Sequence, residues 1–340
     1  MDAYNITVVG GSGIVGREFL KILDERGIPV GRLRLLATAR SAGRQVTFRG
    51  TTVIIEETGE GSFTSDDHVV FLSASGEASK QFAPIAARNG SFVIDDSSAF
   101  RMDPEVPLVV PEINGADLEW HRGIVSQPNC TTTPMVLALS PIHQVNPLRR
   151  IIVSTYQAVA GGGGAAVDGL ASETRAALDG RHELSGTQKR EIAFNAVPQI
   201  DLFAEDGYTK EEIKMANETR KILHAPDIAV SATCVRIPTF FGHAMSVWAE
   251  FERPIDPAEA RDLIAAAPGV TVMDDPAHEI YPTPADVVGT DDVLVGRIRS
   301  DSSNPGGLAL WTLTDSIRKG AATNVVQVIV EADRRGLIRR

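Results

Sequence analysis

A short β-branched run, Ile6-Thr7-Val8-Val9, ends in Gly10-Gly11-Ser12-Gly13-Ile14-Val15-Gly16. A helical pattern follows, with Ile14, Phe19, Leu20, Ile22 and Leu23 apolar. Gly11, Gly13 and Gly16 fall at G-x-G-x-x-G spacing in a strand–turn–helix context, where the motif carries meaning. A strand that ends this way enters a parallel sheet, and the helix crosses back over it. Gly11 is expected to permit the tight turn and Gly13 to let the backbone approach a pyrophosphate seated on the helix N-terminus. Gly16 allows close helix–strand packing. Ser12, Ile14 and Val15 complete the expected cradle.

The next β-rich run, Leu33 to Leu36, is followed by Ala37-Thr38-Ala39-Arg40-Ser41-Ala42-Gly43. A free ribose 2′-hydroxyl usually meets an acid at this place. Arg40 and Ser41 stand there instead, and a guanidinium with a hydroxyl suits a 2′-phosphate, so NADP is expected. Further β-rich runs at Thr52 to Ile55, Val69 to Leu72 and Phe92 to Ile94, with helical material over Glu77 to Arg88, indicate an open, mostly parallel sheet. Ser73 and Gly76 end one strand, on the edge where such sheets bind ligands. Arg101 follows the next strand, where it can take a phosphate or pair with Asp95, Asp96 or Asp103.

Gln127-Pro128-Asn129-Cys130-Thr131-Thr132-Thr133-Pro134 leads into the apolar Met135 to Leu139. Pro134 fits the first turn of a helix, so Cys130 is expected at the positive end of that helix, where a thiolate is favoured. An inert buried thiol is the alternative. Beyond it the texture changes. Arg150 to Gln157 is β-rich, four glycines (Gly161 to Gly164) follow, and an Ala-rich helix is expected over about 165–178. Thr209 and Glu212 are spaced as a capping box for a helix that carries Glu211 and Lys214 on one face. Ile228 to Val235 and Ala244 to Glu252 read as strands. They flank Arg236 and His243, and His243 is the best candidate for a base to the cysteine. Val293 to Ile298 and Leu308 to Leu313, joined by an Asn-Pro-Gly-Gly turn, are expected to pair antiparallel. Gly320 to Asp333 is helical in pattern and is expected to complete the first domain.

With 340 residues, two domains are the default. The net charge of -11 argues against general nucleic-acid binding. Cys130 and Cys234 form neither a disulfide framework nor a metal-ligand pattern, so no metal and a reducing, cytoplasmic compartment are expected. No apolar run approaches the ~20 residues of a membrane span.

Taken together, these residues resemble the aspartate-β-semialdehyde dehydrogenase family almost end to end, from Gly10 to Ala332. The strongest blocks are Ser97 to Pro104 through Val109-Val110-Pro111-Glu112, Pro128 to Thr132, Arg236 to His243 and Val295 to Arg299. The resemblance implies an α/β protein. A Rossmann-type domain over 1–129, completed by 320–340, would bind NADP. A catalytic and dimerisation domain of mixed sheet would span 130–319. It further implies Cys130 as nucleophile, His243 as acid/base and Gln157 as the residue that positions the acyl group. Arg236 would bind the substrate carboxylate, Glu211 its amine, and Arg101 with Lys214 the phosphate. Asn129 would lie beside the nucleophile, and Asn324 would help hold the nicotinamide end. The implied reaction converts L-aspartyl 4-phosphate to the semialdehyde, with inorganic phosphate as co-substrate in reverse. That places it in lysine, threonine, methionine, isoleucine and diaminopimelate biosynthesis. A homodimer or tetramer would be the assembly. The alternatives are N-acetyl-γ-glutamyl-phosphate reductase, whose cysteine loop usually reads Asn-Pro-Gly-Cys, and a non-catalytic NADP-binding paralogue. Asp96 stands where the family usually has Asn, which puts an extra acid near the implied phosphate site.

Overall fold

A computed structural model describes residues 3–186 and 189–339. The chain forms two compact units, Met1–Pro128 with Ala321–Arg340, and Asn129–Gly320. Residues 1, 2 and 340, at the ends of the expected first domain, lie outside the described residues.

The first unit is built on a seven-stranded sheet. Its strands are β1 (Tyr4–Val9), β2 (Val30–Ala37), β3 (Gln45–Phe48), β4 (Thr51–Glu57), β5 (Val69–Leu72), β6 (Phe92–Asp95) and β7 (Ile124–Ser126). They lie in the order β3-β4-β2-β1-β5-β6-β7. Every neighbour pair is parallel except the β3–β4 hairpin at the edge. The strand period of two sorts the side chains. Ile6 and Val8 of β1 and Val69 and Phe71 of β5 join a core with Phe19, Ile22 and Leu23 of α1 (Ile14–Glu25). The C-terminal helix, Thr323–Arg334, adds Val325, Val328 and Ile329 to that core. The alternate residues Val9, Val70 and Leu72 face the other way, onto Phe82, Ala83 and Ala86 of α2 (Gly76–Arg88). Burying both faces explains why these strands read as continuous apolar runs. Each large side chain so buried contributes about 1.5–3 kcal/mol. A short α3 (Pro111–Asn114) precedes β7.

The second unit holds a six-stranded mixed sheet. Its long strands are β8 (Leu148–Gln157), β9 (Ala229–Arg236), β10 (His243–Phe251), β12 (Val293–Ser300) and β13 (Leu308–Thr314), with the short β11 (Val270–Val272) at one edge. The order is β11-β12-β13-β10-β8-β9. β12 and β13 pair antiparallel as expected, whereas β8–β9 and β11–β12 are parallel. Helices α4 (Thr132–Val145), α6 (Lys210–Ile222) and α7 (Pro257–Ala265) pack together in this unit, with α4 against β13 and α6 against β9. Helix α5 (Gly164–Leu178) has its own small core with Val159, Ile192 and Val197, and α8 (Pro284–Val287) contacts β13. The opposite row of the sheet is partly open: Ile152 and Tyr156 of β8 are exposed, beside half-buried Trp248 and Trp311.

Candidate active site

Period-two alternation brings three expected site residues to one end of one sheet face. Val153, Thr155 and Gln157 form the inward row of β8. Ala232, Cys234 and Arg236 form that of β9, and His243, Met245 and Val247 that of β10. Gln157 and Arg236 are direct partners in the parallel β8–β9 register. His243 opens β10, one residue before Ala244, which pairs with Tyr156. Gln157, Arg236 and His243 are all buried.

The backbone that follows β8 holds the two basic side chains. Arg236 Nη1 donates to the Ala158 carbonyl at 2.7 Å, and the Ala158 N–H donates to His243 Nδ1 at 3.1 Å. A neutral ring that accepts at Nδ1 carries its proton on Nε2. Nε2 is buried and has no hydrogen-bond partner among the described residues. Burial, and then the charge of Arg236, push His243 down to about 3. Burial lowers Arg236 as well, and Cys130 and Glu211 are near enough for their charges to oppose this. Gly161 lies in the helical turn Val159–Gly162, and a Cβ there would sit 3.0 Å from His243 Nε2 and 3.4 Å from Arg236 Nη1. Gln157 is buried rather than solvated at its strand end, and the missing side chain at 161 leaves room in front of the histidine.

Cys130 is partly exposed and lies two residues before α4, whose first eight residues are all buried. Pro134 is the third residue of that helix, where no N–H is missed. A Cβ on Gly320 would come within 3.0 Å of the Cys130 Cβ, so that position also has to lack a side chain. Gly320 belongs to a π-helical turn, Arg318–Ala322, so the expected last helix starts later, at Thr323. Burial pushes the other thiol, Cys234, up.

Asn129 is a hub. Its Oδ1 accepts from the Thr131 N–H at 2.8 Å and the Thr131 hydroxyl at 2.6 Å. Its Nδ2 donates to Glu211 Oε1 at 2.9 Å. Glu211 Oε1 also takes Gln157 Nε2 at 3.5 Å, and Oε2 takes Lys214 at 3.3 Å. Lys214 pairs with Asp201 too, at 2.8 Å. Burial opposes the charge on Lys214, but Glu211 and Asp201 outweigh it and raise its pKa. The capping box of α6 is present: the Thr209 hydroxyl accepts from the Glu212 N–H, and Glu212 reaches back to the Thr209 N–H. Sequence reasoning missed Glu218, whose Oε2 accepts the Asn129 N–H at 2.7 Å. Its spacing of seven from Glu211, on the same face of α6, was the available signal.

In the first unit, the glycine turn departs from expectation in one respect. The left-handed residue is Gly10, at φ 86°, where a Cβ would collide with the Ser73 carbonyl. Gly11 instead lies against Leu35. A Cβ on Gly16 would come within 2.5 Å of the Gly10 carbonyl, which fits its packing role. Gly13 is the N-cap of α1. No side chain caps that helix and no acid lies in its first turn, so its N-terminus suits an anion. Arg40 is exposed and Ser41 buried after β2, with no acid between Ala37 and Gly43. These residues fit an NADP-type dinucleotide. Ser73 donates to Asp96 Oδ2 at 3.4 Å, and Gly76 is the first residue of α2. Asn324 is fully buried, and its Nδ2 donates to the Val109 carbonyl and to Gln127 Oε1. Arg101 Nη2 donates to the Asp96 carbonyl at 2.8 Å. Its charge does not cancel that of Asp96: burial pushes the Asp96 carboxyl up to about 7, against the pull of Arg101 and with a further push from Asp95.

Two family models cover most of the chain. The semialdehyde dehydrogenase NAD binding domain matches residues 5–121, and the semialdehyde dehydrogenase dimerisation domain matches 139–319. The chain belongs to the semialdehyde dehydrogenase family. It is similar to aspartate-semialdehyde dehydrogenase of Aquifex aeolicus, with 50% identity over 98% of this chain and 99% of that one. It is 48% identical to the Bacillus subtilis enzyme of the same name, over 95% of this chain and 96% of that one. Among solved structures, aspartate semialdehyde dehydrogenase II of Vibrio cholerae complexed with ASA matches with TM-score 0.94 and 43% identity, covering 98% of both chains. Within this semialdehyde dehydrogenase the cysteine, the histidine and the buried arginine all lie in the unit that carries the dimerisation domain.

Proposed function

We propose that the protein is an aspartate-semialdehyde dehydrogenase (EC 1.2.1.11). It reduces L-aspartyl 4-phosphate to L-aspartate 4-semialdehyde with NADPH, in the cytoplasm and as a homodimer. The carrying observation is the convergence of Gln157, Arg236 and His243 at one sheet end in the unit that carries Cys130. The Cys130 thiolate attacks the acyl carbon, the carbon–oxygen bond to phosphate breaks, and inorganic phosphate leaves a thioester. NADPH, when bound, supplies the hydride that reduces this thioester. Gly11, Ser12, Gly13, Ile14 and Val15 would hold its pyrophosphate, Arg40 and Ser41 its 2′-phosphate, and Ser73, Gly76 and Asn324 line the rest of its site. His243 Nε2–H donates to the oxygen of the tetrahedral thiohemiacetal, which collapses to aldehyde and thiol. The Ala158 contact favours this donor state, so proton removal from the thiol requires the ring to leave Ala158. Gln157 positions the acyl group. Arg236 offers a planar fork to the α-carboxylate, and Glu211 an acceptor to the amine. Arg101 and Lys214 serve the phosphate, with Asn129 shaping the nucleophile loop.

The expected outcome is phosphate-dependent reduction of NADP with aspartate semialdehyde, much faster than with NAD. Cys130→Ser is expected to lose at least about 10³-fold in kcat, because a hydroxyl is a far weaker nucleophile and leaving group. Activity with N-acetylglutamate semialdehyde and none with aspartate semialdehyde would overturn the substrate, and undiminished Cys130→Ser activity the mechanism.

A further inference from the structure

Both backbone polar groups of Asn129, the residue before the nucleophile, are engaged. Its carbonyl accepts from the Thr133 N–H at 3.1 Å and the Thr133 hydroxyl at 3.3 Å. Together with the Thr131 contacts, these bonds close the 129–133 segment on itself. They define its local shape but do not tie it to the rest of the unit. Among the described residues, Asn129 is tied to α6 at two points: Glu211 on the side chain and Glu218 on the N–H. Glu218 is 1% exposed. A carboxyl group is costly to bury, and a short bond to a peptide N–H is a strong way to satisfy it.

We propose that Glu218 is a positioning residue for the nucleophile, holding Asn129 by its N–H, and through it Cys130, in register with the substrate-binding face of α6. This rests on the function proposed above, in which Glu211, two turns earlier on the same helix, meets the substrate amine. Displacement of the nucleophile by about 1 Å can cost ~10²-fold in rate. The role is distinct from that of Glu211: Glu218 touches no substrate, so its loss is felt in turnover and thiol reactivity rather than in substrate affinity.

The test compares Glu218→Ala and Glu218→Gln in the full-length protein. Glu218→Ala is expected to lower kcat about 10- to 100-fold with KM for the semialdehyde changed less than about threefold. The second-order rate of Cys130 alkylation by iodoacetamide is expected to change in the same variant, while the far-UV spectrum is kept. Glu218→Gln retains an oxygen acceptor and is expected to restore most of kcat. If Glu218→Ala does not fold, Glu218→Met fills the volume without a strong acceptor and carries the same expectation. In the unmodified protein the Asn129 amide is expected to exchange with solvent at least about 100-fold more slowly than a free peptide. Unchanged kcat and alkylation in Glu218→Ala, a rise in KM alone, failure of Gln to rescue, or rapid exchange at Asn129 would each overturn the proposal. Alkylation and exchange need no substrate, so they decide it even if the semialdehyde proves to be the wrong substrate.

Discussion

His243 is held neutral, with a pKa of about 3, by burial and by the charge of Arg236. Between that value and the ordinary ~6.5, the unfolded chain binds a proton that the folded protein refuses. Stability therefore falls as pH drops through this window. His243→Gln, which cannot titrate, is expected to show a shallower fall of melting temperature from about pH 6.5 to pH 4 than the unmodified protein. Parallel curves in scanning calorimetry would contradict the assignment. Asp96 has the opposite sign. Its pKa of about 7 lies above the ordinary carboxylate range, so the folded state keeps a proton that the unfolded chain has lost. Its contribution is present below pH ~4 and disappears as pH rises through 7. Asp96→Asn is expected to gain more stability, relative to the unmodified protein, at about pH 8 than at about pH 5. Because the carboxyl is only partly buried, the gain should be modest, and an equal gain at both pH values would show that Asp96 does not titrate there.

At the scale of elements, the turn Val159–Gly162 shapes the site as much as the strands do. Gly161→Ala puts a methyl group 3.0 Å from His243 Nε2, on an imidazole already fixed by Ala158. The expected result is a loss of at least about tenfold in kcat/KM with melting temperature nearly unchanged, and normal kinetics would mean that the gap is not used. Most of the elements themselves were legible in the sequence. β5 is a four-residue run buried on both faces, and α6 announces its start with Thr209 and Glu212. The short β3, β7 and β11 were not legible, because they mix polar with apolar residues and are too short to show either a continuous apolar run or a sustained alternation. Nor were the contacts that orient the site. Ala158 holds both Arg236 and His243 through its backbone, which no side-chain pattern reports. The left-handed residue of the first turn was misplaced by one because the adjacent glycines of Gly10-Gly11 are locally equivalent. Only the approach of Ser73, from β5, distinguishes them.

At the scale of the molecule, the second unit has more apolar surface than a free sheet face should keep. Ile152 lies opposite Trp248 in the β8–β10 register, and the Tyr156 and Trp311 rings stand 5.4 Å apart. An apolar row of this kind on a domain of the dimerisation family is a natural isologous interface, where each copy covers the other. Ile152→Asp places a charge in that row without disturbing the inward side chains of β8. A buried unpaired charge costs about 3–5 kcal/mol, which corresponds to a weakening of association by at least ~10²-fold. Sedimentation velocity is expected to show a folded monomer at concentrations where the unmodified protein is a dimer, and a persistent dimer would place the interface elsewhere. The same variant should also lose activity. Tyr156 and Gln157 are consecutive on β8 and point to opposite faces of the sheet. A strand that loses its partner on one side is freer to move on the other, where Gln157 and Arg236 must stay in register.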